Sequence, residues 1–310
     1  MHSGVKLSVE DGVLVRQGTY RVDVGDIDQN RNLKARLAIG PGLRPVFEDM
    51  QEKLQYREMG IEEGIAVGQY YQEFKMEPRA FGYHEEYQTE IKVSLREAVV
   101  PSKNGSSKRL VVETRSELKS RIVTGIAPSV GFTPPLGASH IAARGRVIHM
   151  LTKPANPIGE RSVTHVPKKL DFLKLHEFEG TFPIIDELCA VPDGFIPTST
   201  DGVSRIQGVW TMANSDVFQH IHAREYLYAM ENRMGALAAE AGLPLQNMSA
   251  LSSRVIYRRP SLVGEYFELR CQLFRRKHEL LALGSFHSVV EGVADERPSS
   301  YLSFSAFIDK

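Results

Sequence analysis

Between residues 224 and 241 apolar side chains fall at Leu227, Met230, Met234, Leu237 and Ala241, the three-and-four spacing that lines one face of a helix. Gly242 and Pro244 then stop it. Beyond them the period shortens to two: Phe267, Leu269, Cys271 and Leu273 alternate with Glu268, Arg270 and Gln272, which predicts a half-buried strand. A polar turn over 275–279 leads to a further apolar run at 280–290, and 301–308 reads as one more strand. With β-like segments at 205–211 and 252–257, the order is strand, one long helix, then several antiparallel strands.

The first third repeats that order. A strand is predicted at 19–27, and the breakers Gly40, Pro41 and Gly42 precede a helix over about 45–59 with Phe47, Met50 and Leu54 on one face and Gly60 at its end. Strands follow at 65–74, 87–100 and 108–123, the last two joined by an Asn104–Gly105 turn. Two copies of one unit explain this most simply. The intervening stretch, about 127–180, carries Pro128, Pro134, Pro135, Pro154, Pro157 and Pro167 and reads mainly as a crossover, with one strand near 144–151. The expected division is therefore 1–126, a crossover at 127–195 that gives part of the first sheet, and 196–310.

Composition narrows the function classes. Lys plus Arg and Asp plus Glu both number 38, so a partner held mainly by counterion release, nucleic acid above all, is not expected. Apolar residues at 42% and charged residues at 25% are those of an ordinary globular chain. Cys189 and Cys271 stand far apart, with no clustered Cys/His spacing, so neither a disulfide scaffold nor a metal site is predicted. No apolar run is long enough for a membrane span and the N-terminus lacks a signal-peptide core, giving a cytoplasmic expectation with no membrane partner. No Walker or dinucleotide fingerprint occurs. The stretch 127–131 imitates a nucleophile elbow, but Pro134 and Pro135 bar the helix such an elbow feeds.

The run from Trp210, WTMANSDVFQHIHAREYLYAME, resembles the strand-to-helix junction of the hotdog-fold acyl-acyl-carrier-protein thioesterases, D-x-N-x-H-V-N-N before a Tyr-bearing helix. Asp216, His220 and Tyr226 match; Phe218 stands at the family's Asn and His222 at the first Asn of its final pair. In the N-terminal copy, VGDIDQNRNLKARL, Asp28 and Asn30 match and Asn32 replaces the His. The family's Glu on the following strand is matched by Glu77 in the first copy and replaced by Pro260 in the second, at separations of 49 and 44 residues from the respective Asp. Each half keeps what the other lacks. The resemblance implies an α+β fold, a tandem (double) hotdog in which each unit wraps an antiparallel sheet around a long helix.

It also implies thioester chemistry: no bound cofactor, and an acyl or polyketide chain delivered on phosphopantetheine by an acyl carrier protein or as acyl-CoA, with a homodimer as a further possible assembly. Hydrolysis needs an activated water, a base near neutral pKa and donors for the developing oxyanion. Asp216 and His220, with Glu77 reaching from the other half, are the candidate catalytic residues. Amides at the helix start, Ala223 and Arg224, are the candidate donors. Phe218, His222, Asp28 and Asn30 complete the expected substrate contacts. Arg258, Arg259, Arg275 and Arg276 form a local basic surplus suited to an acidic carrier protein. Each has a plainer alternative: Asp216 as a helix cap, the histidines as structural residues, Glu77 as a solvated carboxylate and the arginines as an exposed strand face. Because Phe218 and Pro260 remove two polar groups, a dehydratase, acyltransferase or cyclase on carrier-bound chains, or a non-catalytic acyl-binding protein, remain the alternative functions.

Overall fold

The structure, a computed structural model, describes residues 5–21, 46, 48–76, 86–102, 105–120, 141–157, 160–200, 202–215 and 220–308. These divide into two compact units: the described residues up to 70 with 86–182, and residues 71–76 with 183–308.

The first unit comprises β1 (Lys6–Glu10), β2 (Val13–Arg21), helices α1 (Gln51–Leu54) and α2 (Tyr56–Glu63), the first part of β3 (Ala66–Met76, whose residues 71–76 belong to the second unit), β4 (Glu86–Ser102), β5 (Gly105–Ser120), β6 (Ile141–Thr152) and β7 (Leu175–Glu177). The strands lie in the order β1-β2-β4-β5-β6-β3, and β7 adds to β4 in parallel. Period-two alternation sends Ile91, Val93 and Leu95 of β4 to one face, where they meet Leu110, Val112, Met50, Leu54 and Met59.

Within residues 51–63 the helix expected at 45–59 is broken at Gln55, whose φ of 45° is left-handed, into α1 and α2. Leu54 and Met59 are five residues apart, so a continuous helix would carry them about 140° out of phase. The break rephases the chain, and both side chains are fully buried. Gly64, with φ 66°, closes α2 in place of the expected Gly60. The first strands also start earlier than the sequence pattern suggests: β1 and β2 form a hairpin about Asp11 (φ 48°) and Gly12 (φ 74°), an Asp-Gly turn of the kind antiparallel strands favour.

On the far face of the first unit's sheet, Glu113 is fully buried beneath three arginines: Arg96 Nε and Arg146 Nε each lie 2.6 Å from its carboxylate and Arg115 Nε 3.2 Å. Glu179 bridges Arg96 and Arg115 at 3.2 and 3.0 Å. These pairs pin the segment that follows β7 onto the sheet.

The second unit comprises α3 (Ile185–Cys189), β8 (Ile196–Pro197), β9 (Ser204–Val209), α4 (Ala223–Glu240), β10 (Met248–Tyr257), β11 (Tyr266–Arg276), β12 (Glu279–Val290), β13 (Val293–Ala294) and β14 (Ser300–Ile308). Residues 71–75 of β3 pair antiparallel with 252–256 of β10, and the order continues β10-β14-β12-β11, with β8 and β9 both on β11. The helix lies on the sheet through Leu227, Met230, Met234 and Leu237, the predicted stripe. Gly284 admits it: a Cβ there would stand 2.7 Å from Met230 Sδ.

One connectivity occurs twice. Strand β2, a helical segment and β3 to β6 adopt the order β3-β6-β5-β4-β2, and β9, α4, β10, β11, β12 and β14 adopt β10-β14-β12-β11-β9. Among the described residues no helix is long and apolar enough to cross a membrane.

Candidate active site

The junction before α4 is tied at several points. Ser215 faces Ile221 and His220 faces Leu262 in isolated antiparallel bridges. The amide of Ile221 donates to Ser261 O and that of His222 to Asn214 O, each at 2.9 Å. His222, extended at φ −61° and ψ 137°, is the N-cap: its Nδ1 accepts from the Arg224 amide at 3.3 Å. The Arg224 amide is therefore engaged by an imidazole and is not an open oxyanion donor as the sequence suggests. An N-cap side chain takes a donor of the first turn because those amides lack helical acceptors. The Arg224 side chain is exposed and pairs with Glu225 at 2.9 Å. His220 is exposed, two residues ahead of the N-cap His222.

Asn214, which the sequence analysis did not single out, ties the junction together. Its Oδ1 accepts from the Thr211 amide and hydroxyl, both at 2.9 Å, and its Nδ2 donates to Glu225 Oε2 at 3.0 Å. The signal was present as Thr211 and Asn214 three apart, a capping-box spacing with Asn in place of Glu or Gln. Behind the junction, Tyr226 is buried and accepts the Ser261 amide at 3.2 Å. Burial, the main cause, raises its pKa. Trp210 stacks on Phe267 at 4.3 Å and tilts against Tyr226 at 5.1 Å, fixing the strand end from which the junction departs.

The segment Ser261–Leu262 that bridges the histidine loop follows directly on Tyr257, Arg258, Arg259 and Pro260, so the position of the resembled family's Glu is carried past His220 with proline on it. Asp216, Phe218, Asp28, Asn30 and Glu77 lie outside the described residues.

The four arginines expected to form one basic patch do not gather. Arg258 and Arg259 follow the end of β10 where Tyr257 pairs with Ser300, whereas Arg275 and Arg276 lie at the opposite end, where Glu279 pairs with Phe307. Seven residues of β14 separate those pairs, roughly 20 Å. Their guanidinium groups are engaged as well: Arg258 donates to Pro298 O at 2.7 Å, Arg259 to Ser288 Oγ, and Arg275 to Lys277 O at 2.9 Å. Arg276 holds Glu279 at 2.6 Å and lies 4.5 Å over the Phe195 ring. Strand β11, which lies between 258–259 and 275–276, carries the chain from one end of the sheet to the other and so sets the two pairs apart.

Both cysteines are free, and burial pushes the Cys271 thiol up to about 12. Among the described residues no group of three or more His, Cys, Asp or Glu is placed to hold a metal ion.

The fold is that of the hotdog thioesterases. The chain is similar over 96% of its length to a Lactobacillus plantarum protein assigned as an oleoyl thioesterase, of which it covers 97%, with TM-score 0.64 and 10% identity. It is similar over 94% to an acyl-ACP thioesterase of Bacteroides thetaiotaomicron (97% of that chain, TM-score 0.59, 9% identity) and over 95% to the 12:0-ACP thioesterase of Umbellularia californica (98%, 0.59, 11%). At these identities the likeness is one of fold. No protein-family model and no curated protein sequence matches the chain.

Proposed function

We propose that this chain is an acyl-thioester hydrolase of double-hotdog architecture that releases an acyl chain from the phosphopantetheine of an acyl carrier protein or coenzyme A in the cytoplasm. The repeated connectivity supports the architecture. The observation that carries the activity is an exposed imidazole, His220, tied at the N-terminus of an 18-residue helix in a fold shared end to end with thioesterases. In this reading Asp216 and His220 take a proton from water as it attacks the thioester carbonyl. The C–S bond then breaks and the thiolate recovers the proton. The Ala223 amide, at the positive end of the helix, faces the carbonyl oxygen as charge develops on it. His222 holds the turn. Glu77, Asp28 and Asn30 belong to the same proposal as the complementary half-site.

A specific observation supports a second reading. The segment bridged to the histidine loop, 258–262, carries no carboxylate because Pro260 occupies the relevant position. A site with fewer groups to hold water favours transfer, elimination, cyclisation or simple retention of the acyl chain. Incubating the protein with matched acyl-carrier-protein and CoA thioesters and identifying products by mass spectrometry separates these readings. Free acid that disappears in His220→Ala supports hydrolysis; transferred, dehydrated or cyclised product, or bound unreacted thioester, rejects it.

A further inference from the structure

Strand β12 carries a serine and a histidine that the chemistry of the helix junction does not use. Gly284 lies beneath Met230 of α4, and Phe286 meets the Tyr226 ring of α4 at 5.1 Å, so these two residues face the helix. Strand alternation therefore sends Ser285 and His287 to the opposite face of the sheet. There Ser285 Oγ and His287 Nε2 are 2.9 Å apart, and His287 Nδ1 lies 2.7 Å from the backbone carbonyl oxygen of Asp295, just past β13. A carbonyl oxygen can only accept, so the proton is on Nδ1. Nε2 is then the acceptor, and the Ser285 hydroxyl donates to it. The imidazole is buried, whereas Ser285 is half-buried. The base is shielded while the serine it acts on keeps a side toward solvent.

A hydroxyl that donates to a neutral imidazole, with the other ring nitrogen held by a fixed acceptor, is the arrangement that makes a serine nucleophilic. Here the Asp295 carbonyl does the orienting; the carboxylate of Asp295 is turned to the Arg297 amide at 3.0 Å. On β11, Glu268 stands across from His287 and Arg270 across from Ser285, and Arg270 Nε holds Glu268 Oε1 at 2.7 Å. On β14, Tyr301 stands across from Ser285. Burial, the largest influence, lowers the His287 pKa from 6.5, against the opposing pull of the Asp295 carbonyl. The ring is therefore a neutral base at pH 7. Its pairing with Glu268 keeps the Arg270 guanidinium on the serine's face of the sheet, where it favours negative charge on a carbonyl oxygen under attack. We infer that Ser285 and His287 form a second nucleophilic centre, on the sheet face away from α4, that accepts an acyl group from an ester or thioester with a good leaving group. Ser285 Oγ bonds to the carbonyl carbon as its proton passes to His287 Nε2. The bond to the leaving oxygen or sulfur then breaks, and that atom departs with the proton from Nε2, leaving an acyl-serine and a free alcohol or thiol. The centre shares no residue with the His220 junction and does not rest on the proposed function.

The test uses the full chain with two reagents: p-nitrophenyl acetate, and an alkyl fluorophosphonate, on which Oγ–P bond formation expels fluoride. At pH 7.5 each should leave one adduct that peptide mass spectrometry maps to Ser285. Ser285→Ala should lose both adducts, and His287→Gln should slow their formation at least ~10²-fold, the scale of a lost general base. Far-UV circular dichroism checks the fold of each variant. Should the buried His287 position not tolerate glutamine, the pH dependence of the wild-type rate makes the same test. That rate should be level from pH 7 to 8 and fall about tenfold per unit below an inflection under 6.5, where Nε2 takes up a proton. Glu268, held below the usual carboxylate range by its hydrogen bond with Arg270, keeps its charge through that interval, so the inflection belongs to the imidazole. A serine that merely packs against a histidine would stay unmodified. Absence of an adduct at Ser285, equal rates in wild type and His287→Gln, or a rate with no fall below pH 6.5 overturns the inference.

Discussion

His149 makes the first unit acid-labile by a calculable amount. It sits on β6 opposite Val112, is 3% exposed, and its Nδ1 has no partner among the described residues; the nearest ring is that of Tyr56 on α2, at 6.4 Å. Burial denies the imidazolium its hydration and pushes the pKa down from 6.5 to about 4. Folded, the ring stays neutral until about pH 4, while the unfolded chain takes up a proton below 6.5. Protonation therefore favours unfolding. The loss begins near pH 6.5, reaches about 2 kcal/mol at pH 5 and about 3 kcal/mol at pH 4, and levels off below. His149→Phe, of similar volume and without a titrating group, removes this component while leaving every other group in place. Guanidinium unfolding at pH 7 and pH 5, followed by hydrogen exchange of β6 and α2 peptides, isolates the first unit. The difference in unfolding free energy between wild type and variant should change by about 2 kcal/mol between the two pH values. A difference that is the same at both shows that the folded imidazole reaches water.

Gly12→Ala should cost about 2 kcal/mol or more, because its φ is 74° and a Cβ would stand 2.3 Å from Lys174 Cβ and 2.6 Å from the Lys174 amide nitrogen; chemical denaturation measures it. Glu113→Gln leaves three arginines facing one another over a buried amide and should destabilise the first unit by about 3–5 kcal/mol, read as a lowered midpoint with unchanged m-value. His220→Ala and Asp216→Asn should each reduce thioester turnover at least ~10²-fold with the circular-dichroism spectrum retained. Phe218→Asn should raise the proportion of free acid among single-turnover products, and an unchanged proportion would make Phe218 a packing residue.

Strong periodicity was readable from the sequence. The stripe at Leu227, Met230, Met234 and Leu237 gave α4 to within a residue at each end, and the alternation from Phe267 to Leu273 gave β11. The break at Gln55 was hidden because a five-residue gap between Leu54 and Met59 does not say which backbone will absorb the phase error. The β1–β2 hairpin was overlooked although Asp11–Gly12 announces it, since the short strands about it alternate weakly. At the candidate site the junction motif located His220 and His222 at the helix start, but the capture of the Arg224 amide by His222 depends on a rotamer, and the centrality of Asn214 on a turn. The arginine patch failed for a simpler reason: linear clustering ignores the full strand, β11, that lies between the two pairs.

The pairing of residues 71–75 with 252–256 bears on how the chain is made. A ribosome adding roughly 5–20 residues per second completes the partner strand between about ten and forty seconds after residue 75 has been joined. Through that interval the second half of β3 is a nascent edge without the neighbour it will finally have, the situation in which strands find wrong partners. Its sequence is guarded accordingly: Glu73 and Lys75, 3.0 Å apart in the finished structure, put opposite charges among Tyr71, Phe74 and Met76. In-register parallel pairing with another copy of the segment would set Glu against Glu and Lys against Lys, while the backbone stays available to β10. Exchanging both for apolar residues would thus be felt first in the yield of soluble protein during synthesis, ahead of any change in the stability of the completed chain.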